Sequence, residues 1–194
     1  MEMLVAKLFD FAFRLARRRK KNGGKGEVTC VDKSNVFRSY AFFRKIFKER
    51  ATLTPDIKAT YNYVDAQALY LIQRPWDYDV LVMENLLADI LSDLGGGLVG
   101  GMGMAPCAEI GLNHGLFQPA HGSAPDIAGK GIANPIAAIL SLAMMLDHLE
   151  CSSAARDVRA AVETALLQGA RTPDLGGQLS TVAMGDAVVS CIAD

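Results

Sequence analysis

Hydrophobic residues along this chain recur at helical spacing in some segments and form short β-rich runs in others. The helical spacing predicts helices in the first half over residues 3–20, 35–50, 66–73 and 84–94. The β-rich runs between them predict strands over residues 27–31, 59–64 and 78–83. This alternation of strands and helices is typical of an α/β layer architecture.

The pattern changes in the second half, which has few predicted strands of its own. Short strands and turns are predicted over residues 104–120, and a loop with little hydrophobic bulk follows. Beyond the loop the sequence predicts three helices, over residues 133–149, 153–169 and 180–192. We therefore place a boundary near residue 100 and predict two domains, residues 1–100 and residues 101–194.

Composition and charge restrict the class of protein. Of 194 residues, 51% are hydrophobic and 21% charged, which is typical of a globular chain. A formal net charge of −1 gives no general case for nucleic acid or an anionic membrane as a partner. No apolar run approaches the ~20 residues that a membrane span needs. The four scattered cysteines lack zinc-ligand spacing and indicate free thiols, so we expect a cytoplasmic protein.

The segment 121–135, HGSAPDIAGKGIANP, is the most informative stretch of the chain. It holds three glycines, two prolines and one acid, Asp126, and it precedes a long apolar helix. Glycine allows a close approach of the backbone to a ligand, and a loop entering a helix can offer N–H groups to an anion or a ribose. A connector needs only a turn, so the sequence predicts a ligand at this loop.

The helix predicted over residues 84–94 carries Asp89 and Asp93 four positions apart, on one face. Its predicted buried stripe consists of Leu86, Leu87, Ile90, Leu91 and Leu94. The two carboxylates, at the border of this stripe, are either solvated surface acids or a pair of oxygen ligands for a hard cation such as Mg²⁺ or Mn²⁺.

Charged residues also stand at successive strand-to-helix junctions. Lys33 ends the first predicted strand, Asp65 ends the second, and Glu84 follows the third. Each alone is interpreted as a cap or a surface residue, but ligands bind at strand ends in α/β sheets. Their repetition, together with Asp89 and Asp93, favours a site at this edge of the sheet.

Five blocks of this sequence resemble the β-decarboxylating dehydrogenases, the isocitrate and isopropylmalate dehydrogenase family. They are VDKSNV at 31–36, YVDAQAL at 63–69, ENLLADILSD at 84–93, the 121–135 loop, and RTPDLGG at 171–177. The resemblance implies the C-terminal half of that family's three-layer α/β fold. Residues 1–100 would be part of the small domain, with dimerisation and metal-binding roles, and residues 101–194 part of the NAD-binding large domain.

The resemblance also implies a reaction. NAD would take hydride from a 2-hydroxy acid that carries a 3-carboxylate, the oxo acid would lose CO₂, and the enolate would be reprotonated. The VDKSNV block is most similar to 3-isopropylmalate dehydrogenases, which implies leucine biosynthesis. The YVDAQAL block and the GLVGGMG run are also similar to the tartrate/D-malate and homoisocitrate branches, so tartrate, D-malate, isocitrate and homoisocitrate stay open as substrates.

The family's site residues carry over to matching positions. Asp89 and Asp93 would bind the metal ion from one subunit and Asp65 from the other, which implies a homodimer. Lys33 would transfer protons beside Asp65, so the resemblance implies Lys33 and Asp65 as the catalytic residues. Asn35 would lie near the nicotinamide.

The 121–135 loop would bind the adenosine of the cofactor. Asp126 would bind the ribose hydroxyls and repel a 2′-phosphate, which favours NAD over NADP. The implied cofactor-binding residues of the loop are His121, Gly122, Ser123, Ala124, Pro125, Asp126, Ile127, Ala128 and Asn134.

Two departures leave alternatives open. Gln118 stands where many members carry a glutamate, and the family's substrate-binding arginines and catalytic tyrosine belong to an N-terminal half that is not in this sequence. The chain is therefore interpreted as the C-terminal half of a dehydrogenase that is inactive alone. The alternatives are a non-catalytic dimerising or nucleotide-binding remnant, or one chain of a split enzyme.

Overall fold

A computed structural model describes residues 2–192, and the chain divides into two compact units, Met1–Gly95 and Gly96–Asp194. The helices are α1 (Glu2–Lys21), α2 (Arg38–Thr52), α3 (Val64–Gln73), α4 (Asn85–Leu98), α5 (Ile136–His148), α6 (Ser152–Leu167) and α7 (Thr181–Val189). The strands are β1 (Glu27–Asp32), β2 (Lys58–Tyr63), β3 (Val80–Val82), β4 (Pro106–Ile110) and β5 (Gly115–Pro119). In the described part of the chain, no helix is long and apolar enough to span a membrane.

The first unit is built on a parallel sheet with strand order β2-β1-β3. The central strand β1 is buried along its whole length, as expected for a parallel strand covered on both faces. Its core neighbours are aromatic: Phe9 of α1 lies 4.6 Å from Phe43 and 5.3 Å from Phe47 of α2, measured between ring centroids. Tilted and edge-to-face aromatic contacts of this kind stabilise the packing beyond their buried area.

Polar side chains on β1 and β2 pair across the sheet. The hydroxyls of Thr29 and Thr60 lie 2.8 Å apart, and Thr60 also donates to Glu27 over 2.9 Å. Lys58 forms a 2.9 Å ion pair with Glu27. We call these four residues the β1–β2 polar ladder. The ladder provides hydrogen-bond partners for its two buried polar side chains, those of Glu27 and Thr29.

Element boundaries differ from the sequence predictions in ways that matter for the site. The helix predicted from residue 35 begins at Arg38, because residues 34–36 form a turn after β1. The strand predicted to reach Val64 ends at Tyr63, so Asp65 lies in the first turn of α3 instead of at a strand end. The helix predicted to reach residue 192 ends at Val189.

The second unit contains an antiparallel hairpin of β4 and β5 that packs on α5. The Ser141 hydroxyl of α5 donates to the carbonyl of Gln118 on β5 over 2.7 Å, which fixes helix to hairpin. Helices α5, α6 and α7 enclose the core of this unit, whose buried members are Ile136, Ala161, Val162, Ala165, Met184 and Val188.

Candidate active site

Lys33 and Asp65 meet at the carboxyl end of the parallel sheet. The strand register sets Asp32 beside Tyr63, so the residues that follow β1 and β2 emerge together. The Lys33 Nζ lies 2.8 Å from Asp65 Oδ1. The Lys33 ammonium donates to Asp65 and holds the pKa of that exposed carboxyl below its ordinary value. The structure thus pairs two of the predicted site residues within one chain.

A buried ion pair supports the turn that carries Lys33 and Asn35. Asp32 is fully buried and accepts two hydrogen bonds from the Arg44 guanidinium, at 2.6 and 2.8 Å. Asp32 Oδ1 also accepts the Ser34 N–H over 2.8 Å, which closes the turn. The turn leaves the Asn35 side chain exposed.

The same guanidinium contacts β2. Its central carbon lies 4.3 Å from the ring centroid of Tyr61 and 5.0 Å from that of Tyr63. Such cation–π contacts are favourable for arginine over tyrosine. Sequence reasoning did not find Arg44 or Asp32, although an acid directly before Lys33 at the end of a buried strand was a signal that a partner was needed.

Cys30 lies beneath this ion pair and is not a reactive thiol. Burial and the neighbouring Asp32 carboxylate raise the pKa of Cys30 far above its ordinary value, so almost no thiolate forms. We assign Cys30 a packing role in the core of the first unit.

Glu84 acts as a cap. Its Oε1 accepts the Leu87 N–H at the start of α4 over 3.3 Å and the Tyr40 hydroxyl over 2.7 Å. Partial burial and this carboxylate raise the pKa of Tyr40 to about 12. Glu84 therefore fixes the beginning of the helix that carries Asp89 and Asp93.

The exposed face of α4 combines carboxylates with apolar side chains. Asp89 and Asp93 are both exposed, one helical turn apart. The predicted buried stripe of this helix is wrong in part, because Leu86 and Ile90 are 61% and 58% exposed. Leu87 and Leu91 are buried as predicted and Leu94 is half-buried, so only one side of the stripe packs on the unit. Leu86, Asp89, Ile90 and Asp93 form what we call the α4 face.

Within residues 2–192 of one chain, no three acidic, histidine or cysteine side chains converge as a metal site. Asp65 is engaged by Lys33 and does not join Asp89 and Asp93. All three carboxylates offer the oxygen ligands that Mg²⁺ and Mn²⁺ prefer. The chemistry of these carboxylates fits such an ion, and within a single chain Asp65 lies apart from Asp89 and Asp93.

The 121–135 loop exposes the side chains of His121 and Asp126. The His121 Nδ1 lies 2.9 Å from the carbonyl oxygen of Gly122. Ala124 has a φ of +42°, in the left-handed region that residues with a Cβ rarely adopt, and its carbonyl accepts the Ile127 N–H over 3.1 Å. A strained residue within a short turn often marks a functional loop.

Asn134, at the end of this loop, is held inside the second unit. It is 7% exposed, its Oδ1 accepts the Ile136 N–H over 3.0 Å, and its Nδ2 donates to Asp174 over 3.1 Å. Thr172 donates to the same aspartate. We call Asn134, Thr172 and Asp174 the amide clamp; it gives the RTPDLGG block a structural role that sequence reasoning missed.

Asn134 and Gln118, two residues noted in the sequence, differ in their surroundings. Because the Asn134 amide is engaged, any adenine contact at this position would come from the main chain. Gln118, the departure noted in the sequence, is exposed on β5 and approaches Glu109 at 3.5 Å.

Comparison with known proteins identifies the family. The model of the isocitrate/isopropylmalate dehydrogenase family matches residues 2–188. The chain belongs to this family.

The family's curated members include several close relatives. The chain is 50% identical over 194 residues to the 3-isopropylmalate/3-methylmalate dehydrogenase of Methanocaldococcus jannaschii, covering 100% of this chain and 58% of the relative. It is 44% identical over 183 residues to the 3-isopropylmalate dehydrogenase of Archaeoglobus fulgidus, covering 94% and 55%. It is 52% identical over 182 residues to the isocitrate/homoisocitrate dehydrogenase of Thermus thermophilus, covering 93% and 53%.

Solved structures agree. Isocitrate dehydrogenase from Methylococcus capsulatus superposes with a TM-score of 0.93 at 39% identity, covering 100% of this chain and 57% of that one. A β-decarboxylating dehydrogenase from Thermococcus kodakarensis superposes with a TM-score of 0.90 at 38% identity, covering 99% of this chain and 55% of that one.

The predicted family and fold class are confirmed, and the chain spans about half the length of the curated relatives it matches. Relatives of two substrate branches reach similar identity, so identity alone does not select a substrate.

Proposed function

We propose that this chain forms the C-terminal part of a metal- and NAD-dependent enzyme that oxidatively decarboxylates a 2-hydroxy acid bearing a 3-carboxylate. We propose 3-isopropylmalate as the substrate, which places the enzyme in leucine biosynthesis in the cytoplasm. The observation that carries the proposal is the Lys33–Asp65 pair at 2.8 Å, in a chain of the dehydrogenase family. The similarity of the VDKSNV block to 3-isopropylmalate dehydrogenases, together with relatives of that name, supports the substrate.

In this proposal Lys33 transfers protons. Its half-buried ammonium forms an ion pair with Asp65, and Asp32, paired with Arg44, holds the backbone turn that follows Lys33. Lys33 would accept the proton of the substrate hydroxyl, and NAD, when bound, would supply the acceptor for the hydride of the carbon that bears this hydroxyl. Loss of CO₂ from the 3-carboxylate of the resulting oxo acid would leave an enolate, which would then be protonated at the same edge of the sheet. Each transfer requires the amine within hydrogen-bond reach of the reacting oxygen or carbon.

The metal would be held by carboxylates from two copies of the chain. Asp89 and Asp93 on one subunit and Asp65 on the other are the proposed ligands. When bound, Mg²⁺ or Mn²⁺ polarises the hydroxyl and stabilises the oxyanion of the enolate. The exposed Leu86 and Ile90 beside the two aspartates support a homodimer, because apolar side chains on one helix face favour burial against a partner.

The cofactor would lie on the 121–135 loop, with Asp126 on the adenosine ribose and Asn35 near the nicotinamide. A carboxylate at Asp126 accepts hydrogen bonds from the two ribose hydroxyls and repels a 2′-phosphate. The proposed ligand is therefore NAD and not NADP.

Turnover should require the part of the relatives that this chain does not span, because the substrate carboxylates need their binding groups. The test mixes the purified chain with 3-isopropylmalate, NAD and Mg²⁺ and follows NADH absorbance. The same assay is repeated with the unmatched part of the Methanocaldococcus relative co-expressed. We expect NADH only in the second case and its loss in Lys33→Ala. Activity retained by Lys33→Ala, or none in either case, would contradict the proposal.

A non-catalytic nucleotide-binding module is the second candidate, supported by the chain's coverage of only 58% of a relative. It predicts NAD binding by calorimetry without turnover even in the co-expressed complex. Asp126→Ala should weaken that binding under either proposal, so turnover alone separates the two.

A further inference from the structure

The 121–135 loop has little attachment to the core of the second unit before its last two residues. None of residues 121–133 is buried, and Ala124, Ile127 and Ile132 are half-buried. Internal hydrogen bonds, such as that from the Ile127 N–H to the Ala124 carbonyl, close turns within the loop. Because so little of the loop is buried, its position depends on the few hydrogen bonds that join it to other elements.

Thr181, the first residue of α7, supplies these bonds. Its backbone N–H donates to the Gly131 carbonyl over 2.8 Å, and its hydroxyl donates to the Ala133 carbonyl over 2.6 Å. Within residues 2–192, these two hydrogen bonds are the ones that join residues 121–133 to another part of the chain. Gly131 has a φ of +64°, the left-handed conformation that favours glycine, so the attachment lies at a sharp change in chain direction.

Helix α7 is itself well anchored. Ser180 caps it, because its hydroxyl oxygen accepts the Ala183 N–H over 3.2 Å. The first N–H groups of a helix have no partner within the helix, so the Thr181 N–H is available to a group outside it. Met184 and Val188 hold α7 in the core of the second unit. The positive end of this helix faces two carbonyl oxygens of the loop, which is a favourable arrangement.

We propose that Thr181 is a positioning residue for the adenosine of the cofactor. The inference rests on the proposed function in one respect, which is that the 121–135 loop binds adenosine. Thr181 fixes the end of the loop, so that Asp126 and the main chain of Asn134 are held in one arrangement before the ligand binds. A loop that is already ordered loses less conformational freedom on binding, and its affinity is correspondingly higher. Thr181 acts through the loop and touches no ligand itself.

Calorimetry with 5′-AMP tests the proposal, because this probe carries the adenosine and requires no turnover. Thr181→Val keeps the shape and the backbone N–H of the residue but removes the hydroxyl donor. It should weaken AMP binding about threefold to tenfold, the effect of one lost hydrogen bond. Thr181→Ser keeps a hydroxyl and should bind AMP like the parent chain. The control is Ser190→Ala, which removes a hydroxyl bond to the Ala187 carbonyl at the other end of α7 and should leave binding unchanged.

Two further measurements separate positioning from stability. Circular dichroism gives the melting temperature of each variant, and AMP binding is measured well below it, where every variant is folded. A purely structural role would lower the melting temperature without changing the affinity. Positioning predicts in addition that hydrogen exchange becomes faster in peptides covering residues 122–133 of Thr181→Val and is unchanged in α6.

The possible failures are distinguishable. If Thr181→Val binds AMP as tightly as the parent, or if Thr181→Ser does not restore the affinity, the inference is overturned and the proposed function is unaffected. If the parent chain does not bind AMP, the proposed adenosine site is wrong, and the inference is wrong with it. AMP binding by the parent without NADH formation in the co-expressed complex would refute only the proposed reaction.

Discussion

Arg44→Met tests whether the ion pair beneath Lys33 stabilises the first unit. The substitution keeps much of the side-chain volume but leaves the fully buried Asp32 without its two guanidinium hydrogen bonds. Removing one member of a buried ion pair costs about 3–5 kcal/mol, because the remaining charge is desolvated and unpaired. Loss of the contacts with Tyr61 and Tyr63 adds to the effect.

The expected shift is large for a unit of this size. In a domain of about 60–100 residues, each kcal/mol moves the melting temperature by about 4–8 °C. Arg44→Met should therefore lower the melting temperature of the first unit by more than about 10 °C. Circular dichroism during heating and urea titration at pH 7 measure the change, and a one-dimensional proton spectrum at 20 °C checks that the variant folds.

Arg17→Met is the matched control. Arg17 also binds a carboxylate through two hydrogen bonds, at 2.8 and 2.6 Å, but both it and Asp56 are exposed. Exposed ion pairs contribute little because water and salt screen them. The two variants share their hydrogen-bond geometry and differ in burial and in the Arg44 contacts with Tyr61 and Tyr63, so equal stability losses would refute the role assigned to burial at Asp32.

Three further predictions concern pH, thiol reactivity and glycine packing. Burial alone would raise the pKa of Asp79, but the Arg19 guanidinium and the Gly26 N–H lower it, so the ionised carboxylate stabilises the fold above the ordinary aspartate pKa and this stabilisation is lost as pH falls through the lowered pKa. The free energy of unfolding of Asp79→Asn, measured in urea, should therefore change less between pH 5 and pH 3 than that of the parent chain. In the folded chain a thiol-specific dye should label the exposed Cys151 quickly and Cys30 only after denaturation, and equal rates would show that Cys30 is not buried. Gly103→Ala should destabilise the second unit by about 1–3 kcal/mol, because its Cβ would lie 2.8 Å from the Asn134 Cβ, whereas Gly97→Ala in α4 meets nothing and should not destabilise.

The sequence predicted the α/β alternation and the Lys33–Asp65 junction because both depend on local pattern. Strand periodicity identifies the ends of β1 and β2 to within one residue, and parallel neighbours bring those ends to one edge. The motifs predicted the family, which the comparisons confirm. These features required no knowledge of which elements pack together.

Features that depend on distant contacts were beyond sequence reasoning. The helical spacing of α4 cannot tell which side of an apolar stripe meets a neighbour, so the exposure of Leu86 and Ile90 was missed. The Asn134 amide meets Asp174 across 40 positions, and Arg44 meets Asp32 across 12. No local pattern marks such partners, and only the packed chain identifies them.

The β1–β2 polar ladder has a consequence for how the chain folds. A slip of one residue between the strands would turn every β2 side chain to the opposite face, separating Thr60 from Thr29 and from Glu27. Each buried polar group left without a hydrogen-bond partner would then destabilise the shifted register by about 1–3 kcal/mol. The ladder thus favours the native register of β1 and β2 over a register shifted by one residue. It selects the one alignment that brings Lys33 to Asp65 before any ligand has bound.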